Sequence, residues 1–220
     1  MLGLCAGLSG KRYTATKGIR EAFMETKRLV FVGVGGQGNL LASRLLGEAA
    51  LAEGVPAVVS EIHGMAQRGG IVESAVLMGN VTSPIVSPAE ADVLISFEPV
   101  ETLRALGKCN EDTVVITNTH PLPPFTVAVG QGTYPAVEEM LALIREKAGK
   151  VVALDGDAIA EEVGNPLALN MVMLGALIGS GTIPITADDM KKTISASTKK
   201  AFLESNLAAF DKGFEAAKAN

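Results

Sequence analysis

The residues with the most chemical content run from Gly33 to Gly38, Gly-Val-Gly-Gly-Gln-Gly, in the spacing Gly33-x-Gly35-x-x-Gly38 with an extra glycine at Gly36. Residues without a Cβ let a backbone turn sharply and aim its N–H groups at a bound anion. A helix opening at such a turn adds the positive end of its dipole. A phosphate or pyrophosphate fits this cradle. Glycine also serves tight turns for steric reasons alone, so the spacing has two readings, anion binding and chain geometry. The amides of Gln37 and Asn39 reach a ligand from the same turn, although Asn39 serves equally as a helix cap. No Lys-Ser or Lys-Thr follows the last glycine, which argues against a Walker-type nucleotide loop and against ATP hydrolysis.

A second polar stretch begins at Glu61 and runs through His63, Gln67, Arg68, Gly69 and Gly70. In a dinucleotide-binding domain an acidic residue about 20 positions beyond the glycines binds the ribose hydroxyls, and Glu61 falls near that place. NAD(P) is therefore a rival ligand. The residues after Glu61 are unusual for such a domain. Alone, His63 reads as a loop histidine and Arg68 as a solvated cation. Together with Gln67 and flanking glycines they form a clamp for a phosphate, or for a cofactor carried by a partner chain. The loop is expected to face the glycine turn. His120, in Thr-His-Pro, and Glu98 lie on other loops at the same sheet edge and are weaker candidates. No nucleophile with a neighbouring base, no metal-ligand spacing and no paired carboxylates can be read, so no residue is assigned as catalytic or metal-binding. Catalysis is expected to be shared with another chain.

The elements that position these residues follow from periodicity. A β-prone run at Leu29–Val32 enters the glycine turn, and Asn39–Glu53 has helical spacing, ended by Gly54. Strands are expected at Pro56–Ser60, Ile71–Met78, Asp92–Phe97, Thr113–Asn118 and Val151–Leu154. Helices are expected at Val100–Leu106 and Ala136–Lys147, with a proline-rich loop at Thr119–Phe125. A Gly79-Asn80 turn followed by an extended piece at Val81–Val86 predicts a hairpin built on the Ile71 strand. Beyond Asp155 the pattern is helical, in stretches at Asp157–Val163, Pro166–Ile178 and Ala187–Lys218. Alternating strands and helices predict an α/β fold: a mostly parallel, Rossmann-like sheet flanked by helices, with a hairpin insertion and C-terminal helices. Leu167–Ile178 is apolar around its circumference but only about half the length of a membrane span. It reads as a buried helix. Gly175 and Gly179 offer a smooth strip for core packing within the chain or against a partner.

Composition bounds the functions. The chain has 220 residues, 48% apolar, with 4% aromatic residues and no Trp. Such a core of Val, Ile, Leu, Ala and Met suits a parallel sheet covered on both faces. A formal net charge of −5 without basic-aromatic clusters excludes nucleic acid as the main partner. Cys5 and Cys109 are too few for a four-thiolate iron–sulfur cluster or a structural zinc site. They suit a reduced, cytoplasmic protein without membrane attachment. Residues 1–26 read as an N-terminal extension, disordered or non-native, with Met24 as the natural start and residues 27–220 as the functional domain.

Gly33-Val-Gly-Gly-Gln-Gly38 together with Ser60-Glu-Ile-His-Gly-Met-Ala-Gln-Arg-Gly-Gly70 resembles the beta subunits of indolepyruvate:ferredoxin oxidoreductases. The similarity continues through Ser83-Pro84, Ala91–Ile95 with Glu98-Pro99, and Asn165-Pro166 with Asn170–Gly175. It covers the chain from about Lys27 to the final helices. The resemblance implies the gamma-type domain of the 2-oxoacid:ferredoxin oxidoreductases. In those enzymes thiamine diphosphate attacks the 2-oxo carbon, carbon dioxide leaves, electrons pass through [4Fe-4S] clusters to ferredoxin, and coenzyme A takes the acyl group. The resemblance places thiamine diphosphate and the clusters in a larger alpha subunit and gives this chain a part in binding coenzyme A. Two rivals stand beside it: a free-standing NAD(P)-dependent dehydrogenase using Glu61, and a ligand-sensing or structural interaction module.

Overall fold

The computed structural model describes residues 25–63, 69–81 and 83–219. Apart from Glu25 and Thr26, the expected N-terminal extension lies outside the described residues. At the centre is β1 (Lys27–Val34), in which Leu29 and Phe31 face one side and Val30 and Val32 the other, all buried. A strand that is apolar on both faces must be covered on both. The sheet has six strands in the order β2-β3-β1-β4-β5-β6, with β2 at Ala57–His63, β3 at Ile71–Met78, β4 at Val93–Ser96, β5 at Val114–Asn118 and β6 at Lys150–Leu154. β1, β4, β5 and β6 are mutually parallel, whereas β3 is antiparallel to both β1 and β2. Only β3 therefore runs against the rest.

One face is covered by α1 (Asn39–Ala52), α5 (Gly156–Glu162), α6 (Leu169–Gly179), α7 (Ala187–Ser197) and α8 (Lys200–Lys218). The other carries α2 (Pro99–Ala105) and α4 (Val137–Lys147), while the short α3 (Phe125–Ala128) follows the proline-rich loop. Helix α1 ends where Glu53 N–H bonds Ala49 O and Gly54 turns left-handed at φ 75°. In α6 every residue from Leu169 to Ile178 is buried. Its glycine strip packs against α8 of the same chain, which decides between the two packing expectations. The C-terminal helical stretch divides into α7 and α8 at Thr198-Lys199, where Thr198 is extended.

The hairpin insertion is present, but its partners differ from those expected. β3 pairs with β2, not with Val81–Val86, which forms no strand among its described residues. The cause is edge availability: β1 and β2 occupy both sides of β3, and Pro84 lacks a ladder N–H. The segment is tied down instead by Ser60 Oγ donating to Pro84 O at 3.1 Å. β1, α1 and β2 thus form a split βαβ unit with β3 threaded between its parallel strands.

Candidate functional site

β1 ends directly in the glycine turn, beside the crevice where the sheet changes from the β3 side to the β4 side. In open α/β sheets such a crevice at the carboxyl ends of strands collects ligands. The turn's glycines differ in purpose. A Cβ on Gly33 would lie 2.9 Å from Phe97 Cβ, and one on Gly38, left-handed at φ 83°, 2.9 Å from Asn170 Nδ2. Those two positions are filled by the protein itself. Gly36, at φ 113°, has nothing among the described residues within 4 Å of where its Cβ would lie. No described residue takes the place of its missing side chain.

Hydrogen bonding sorts the other motif residues. Gly35 N–H donates to Gly70 O at 2.8 Å, and Gly69 N–H donates to Gly35 O at 3.2 Å, so the end of the polar loop is stitched to the glycine turn. Gln37 Oε1 accepts Val34 N–H at 2.8 Å while its Nε2 donates to Phe97 O at 2.9 Å. Asn39 is buried and its Nδ2 donates to Val72 O at 2.9 Å. Both side-chain amides, expected to reach a ligand, are committed to the protein's own backbone. The N–H groups of Gly36, Gly38, Asn39, Leu40 and Leu41 donate to no acceptor among the described residues. These are the donors left at the start of α1.

Glu61 is exposed on β2, opposite Ser74 of β3, which in turn faces Phe31 of β1. Two strand spacings, roughly 10 Å, separate it from β1. The strand order thus denies the NAD reading a ribose-binding carboxylate on the strand beside β1. His63 closes β2 opposite Val72, described through its backbone alone. Gln67 and Arg68 lie outside the described residues. Gly69 is left-handed at φ 72°, with nothing among the described residues within 4 Å of where its Cβ would lie.

Glu98 proves more central than its sequence position indicated. Its side chain is buried, caps α2 by accepting Glu101 N–H at 3.0 Å, accepts Leu122 N–H at 3.2 Å and accepts the Tyr134 hydroxyl. One carboxylate therefore joins three segments around a cleft of about 350 Å³ that opens beside Gly35 and Gly69. Burial, and then the hydrogen bond to Glu98, push the Tyr134 hydroxyl well above the ordinary phenol range. Glu101 is raised chiefly by burial, with Arg104 opposing and the charge of Glu98 adding to the shift.

Asn118, at the end of β5, is a second organising residue that the sequence did not single out. It is fully buried; Nδ2 donates to Phe97 O at 3.0 Å and to Asp157 Oδ2 at 2.7 Å, and Oδ1 accepts Gly156 N–H at 2.9 Å and His120 N–H at 3.2 Å. Phe97 O accordingly receives both Gln37 and Asn118, linking the glycine turn to the ends of β5 and β6. An Asn closing an otherwise apolar strand, Val-Val-Ile-Thr-Asn, was the available signal. This linkage brings His120, Asp155 and Asp157 together, with ligand atoms within 4.8 Å of one another, although nothing in their sequence spacing announced it. Cys109 is buried on the α2 face, where desolvation pushes its thiol up to about 11.

The family model described as "Pyruvate ferredoxin/flavodoxin oxidoreductase" matches residues 28–216. The indolepyruvate oxidoreductase subunit IorB of Pyrococcus horikoshii is 41% identical over 197 residues, covering 89% of this chain and 98% of the relative. The same-named subunit of Methanothermobacter thermautotrophicus is 40% identical over 185 residues, covering 84% and 94%. Among solved structures, the gamma subunit of a keto/oxoacid ferredoxin oxidoreductase from Geobacter sulfurreducens superimposes with a TM-score of 0.65 at 25% identity, covering 88% of this chain and 99% of that one.

Proposed function

The chain belongs to the pyruvate ferredoxin/flavodoxin oxidoreductase family, as a subunit of a 2-oxoacid:ferredoxin oxidoreductase, and on that premise we propose how it serves the reaction. It is the smaller subunit of an indolepyruvate-type enzyme, which converts an aryl 2-oxoacid and coenzyme A to acyl-CoA and carbon dioxide and passes two electrons to ferredoxin. Its own part is to hold the phosphates of coenzyme A on the turn from Gly33 to Asn39 and the segment from Glu61 through His63, Gln67 and Arg68 to Gly70, facing the larger subunit. The observation that carries this reading is the stitching of Gly35 to Gly69 and Gly70, which leaves Gly36 open beside unpaired helix-start amides.

Two cysteines do not make a ligand set for an iron–sulfur cluster, and thiamine diphosphate goes with the clusters in this reading. Of the two, Cys109 is buried with a strongly protonated thiol. Those groups are assigned to the larger partner, where they supply decarboxylation and electron transfer. This chain's contribution is electrostatic and positional: preorganised backbone donors hold an anion without reorganising, and keep the thiol end of the ligand directed at the partner. The subunit assignment is tested by co-expression with the larger chain. The expected product is a brown complex that reduces ferredoxin with an aryl 2-oxoacid and coenzyme A. A chain that stays a colourless monomer and binds NADH would contradict it.

A further inference from the structure

The cleft beside Gly35 has a chemistry different from that of the glycine turn. Three large apolar side chains, Ile71, Leu122 and Phe125, are 52%, 45% and 78% exposed and all line it. Exposed apolar residues scattered singly are ordinary, but their convergence on one cavity marks a surface awaiting a ligand. The cavity lies at the carboxyl ends of β1 and β4, where the fold collects ligands, and its volume of about 350 Å³ accommodates a bicyclic ring. Its roof is fixed, since Glu98 holds both Leu122 and Tyr134.

The charges at its floor decide what enters. Glu98 and Glu101 are buried acids, and the one cation among the cleft's described residues, Arg104, is already bound to Glu101. Two carboxylates against one guanidinium leave the floor net negative, which opposes a phosphate or carboxylate. Glu101 Oε1 takes Arg104, and Oε2 accepts no hydrogen bond among the described residues. An N–H donor placed there gains a charge-assisted bond in a largely apolar setting. We propose that this cleft receives a flat, uncharged aromatic ring carrying an N–H donor, stacked on Phe125 and hydrogen-bonded to Glu101. An indole side chain and an adenine base share that chemistry. The proposal rests on the cleft and not on phosphate binding by the glycine turn, so either can fail alone.

The test is calorimetric titration of the full chain, alone and assembled with its larger partner, using indole and adenosine as probes. Saturation by one ring below about 1 mM in both preparations is expected. Tighter binding of indole identifies a substrate side chain as the source, and tighter binding of adenosine a nucleotide base. Blocking the donor of the tighter probe, with 1-methylindole or N6,N6-dimethyladenosine, should weaken it about tenfold. Phe125→Ala should do the same without changing thermal stability, because Phe125 is largely exposed. The proposal is overturned if neither ring saturates, if the blocked analogue binds equally well, or if Phe125→Ala is without effect. Binding to the isolated chain that vanishes in the assembly would also overturn it, by showing that the partner fills the cleft.

Discussion

Between α6 and α8, a Cβ on Gly175, Gly179 or Gly213 would lie 2.0–2.4 Å from the opposite backbone, whereas one on Gly36, at the end of β1, would meet nothing among the described residues within 4 Å. Both regions are glycine-rich, yet the first uses the missing side chain to bring two helices into backbone contact and the second leaves a backbone bare to its surroundings. Sequence spacing alone does not separate the two uses. What separates them is whether the space is already filled by the fold. Gly38, filled by Asn170, belongs physically with the helix pair although it sits inside the binding motif.

The largest effect should come from Gly213→Ala. Its Cβ meets Val172 O at 2.0 Å, and a backbone atom cannot rotate away. A loss of about 3 kcal/mol or more is expected in chemical unfolding; a loss under about 1 kcal/mol would erase the packing side of the contrast. Next is Glu98→Ala, which strips the acceptor from Glu101 N–H, Leu122 N–H and the Tyr134 hydroxyl. About 2–4 kcal/mol should be lost. Limited proteolysis should open the Thr119–Phe125 loop first, and an unchanged cleavage pattern would deny Glu98 its place as the anchor.

Gly38→Ala combines a left-handed backbone with the Asn170 contact, and should cost about 1–2 kcal/mol. In the Asn170→Ala background the clash with the amide, at 2.9 Å from Nδ2, should go while the contact with the residue-170 Cβ at 3.1 Å and the conformational part remain, a split that a double-mutant cycle measures. Gly36→Ala should cost only about 1 kcal/mol, from its positive φ alone. The smallest effect concerns Cys109: with its thiol pushed up to about 11, alkylation at pH 8 should be negligible in the native protein and should appear on unfolding. Its rate should rise with pH towards that value, as the thiolate forms.

Much of the fold was legible because its signals are local. The unbroken apolar run Leu29–Val32 and the strand-turn-helix around Gly33–Asn39 state that both faces of the strand are buried and where the chain turns. The insertion of β3 between β1 and β2 was not legible, since strand order depends on which edges remain free after folding and not on any local pattern. The same limit applies to the site. Its glycines and the proximity of Gly70 to the turn could be anticipated, but the diversion of Gln37 to Phe97 O and of Asn39 to Val72 O depends on long-range neighbours. The roles of Glu98 and Asn118 are hidden for a related reason: a single buried polar residue carries no motif, and only its partners reveal that several segments depend on it.

The central claim is that the open glycine at the end of β1 receives the anionic end of coenzyme A in the assembled enzyme, and the most direct measurement is the KM for coenzyme A of the complex carrying Gly36→Val. A rise of about tenfold or more, with the KM for the 2-oxoacid unchanged and the complex still assembled, is what the geometry predicts. Coenzyme A kinetics identical to those of the unaltered complex would contradict it.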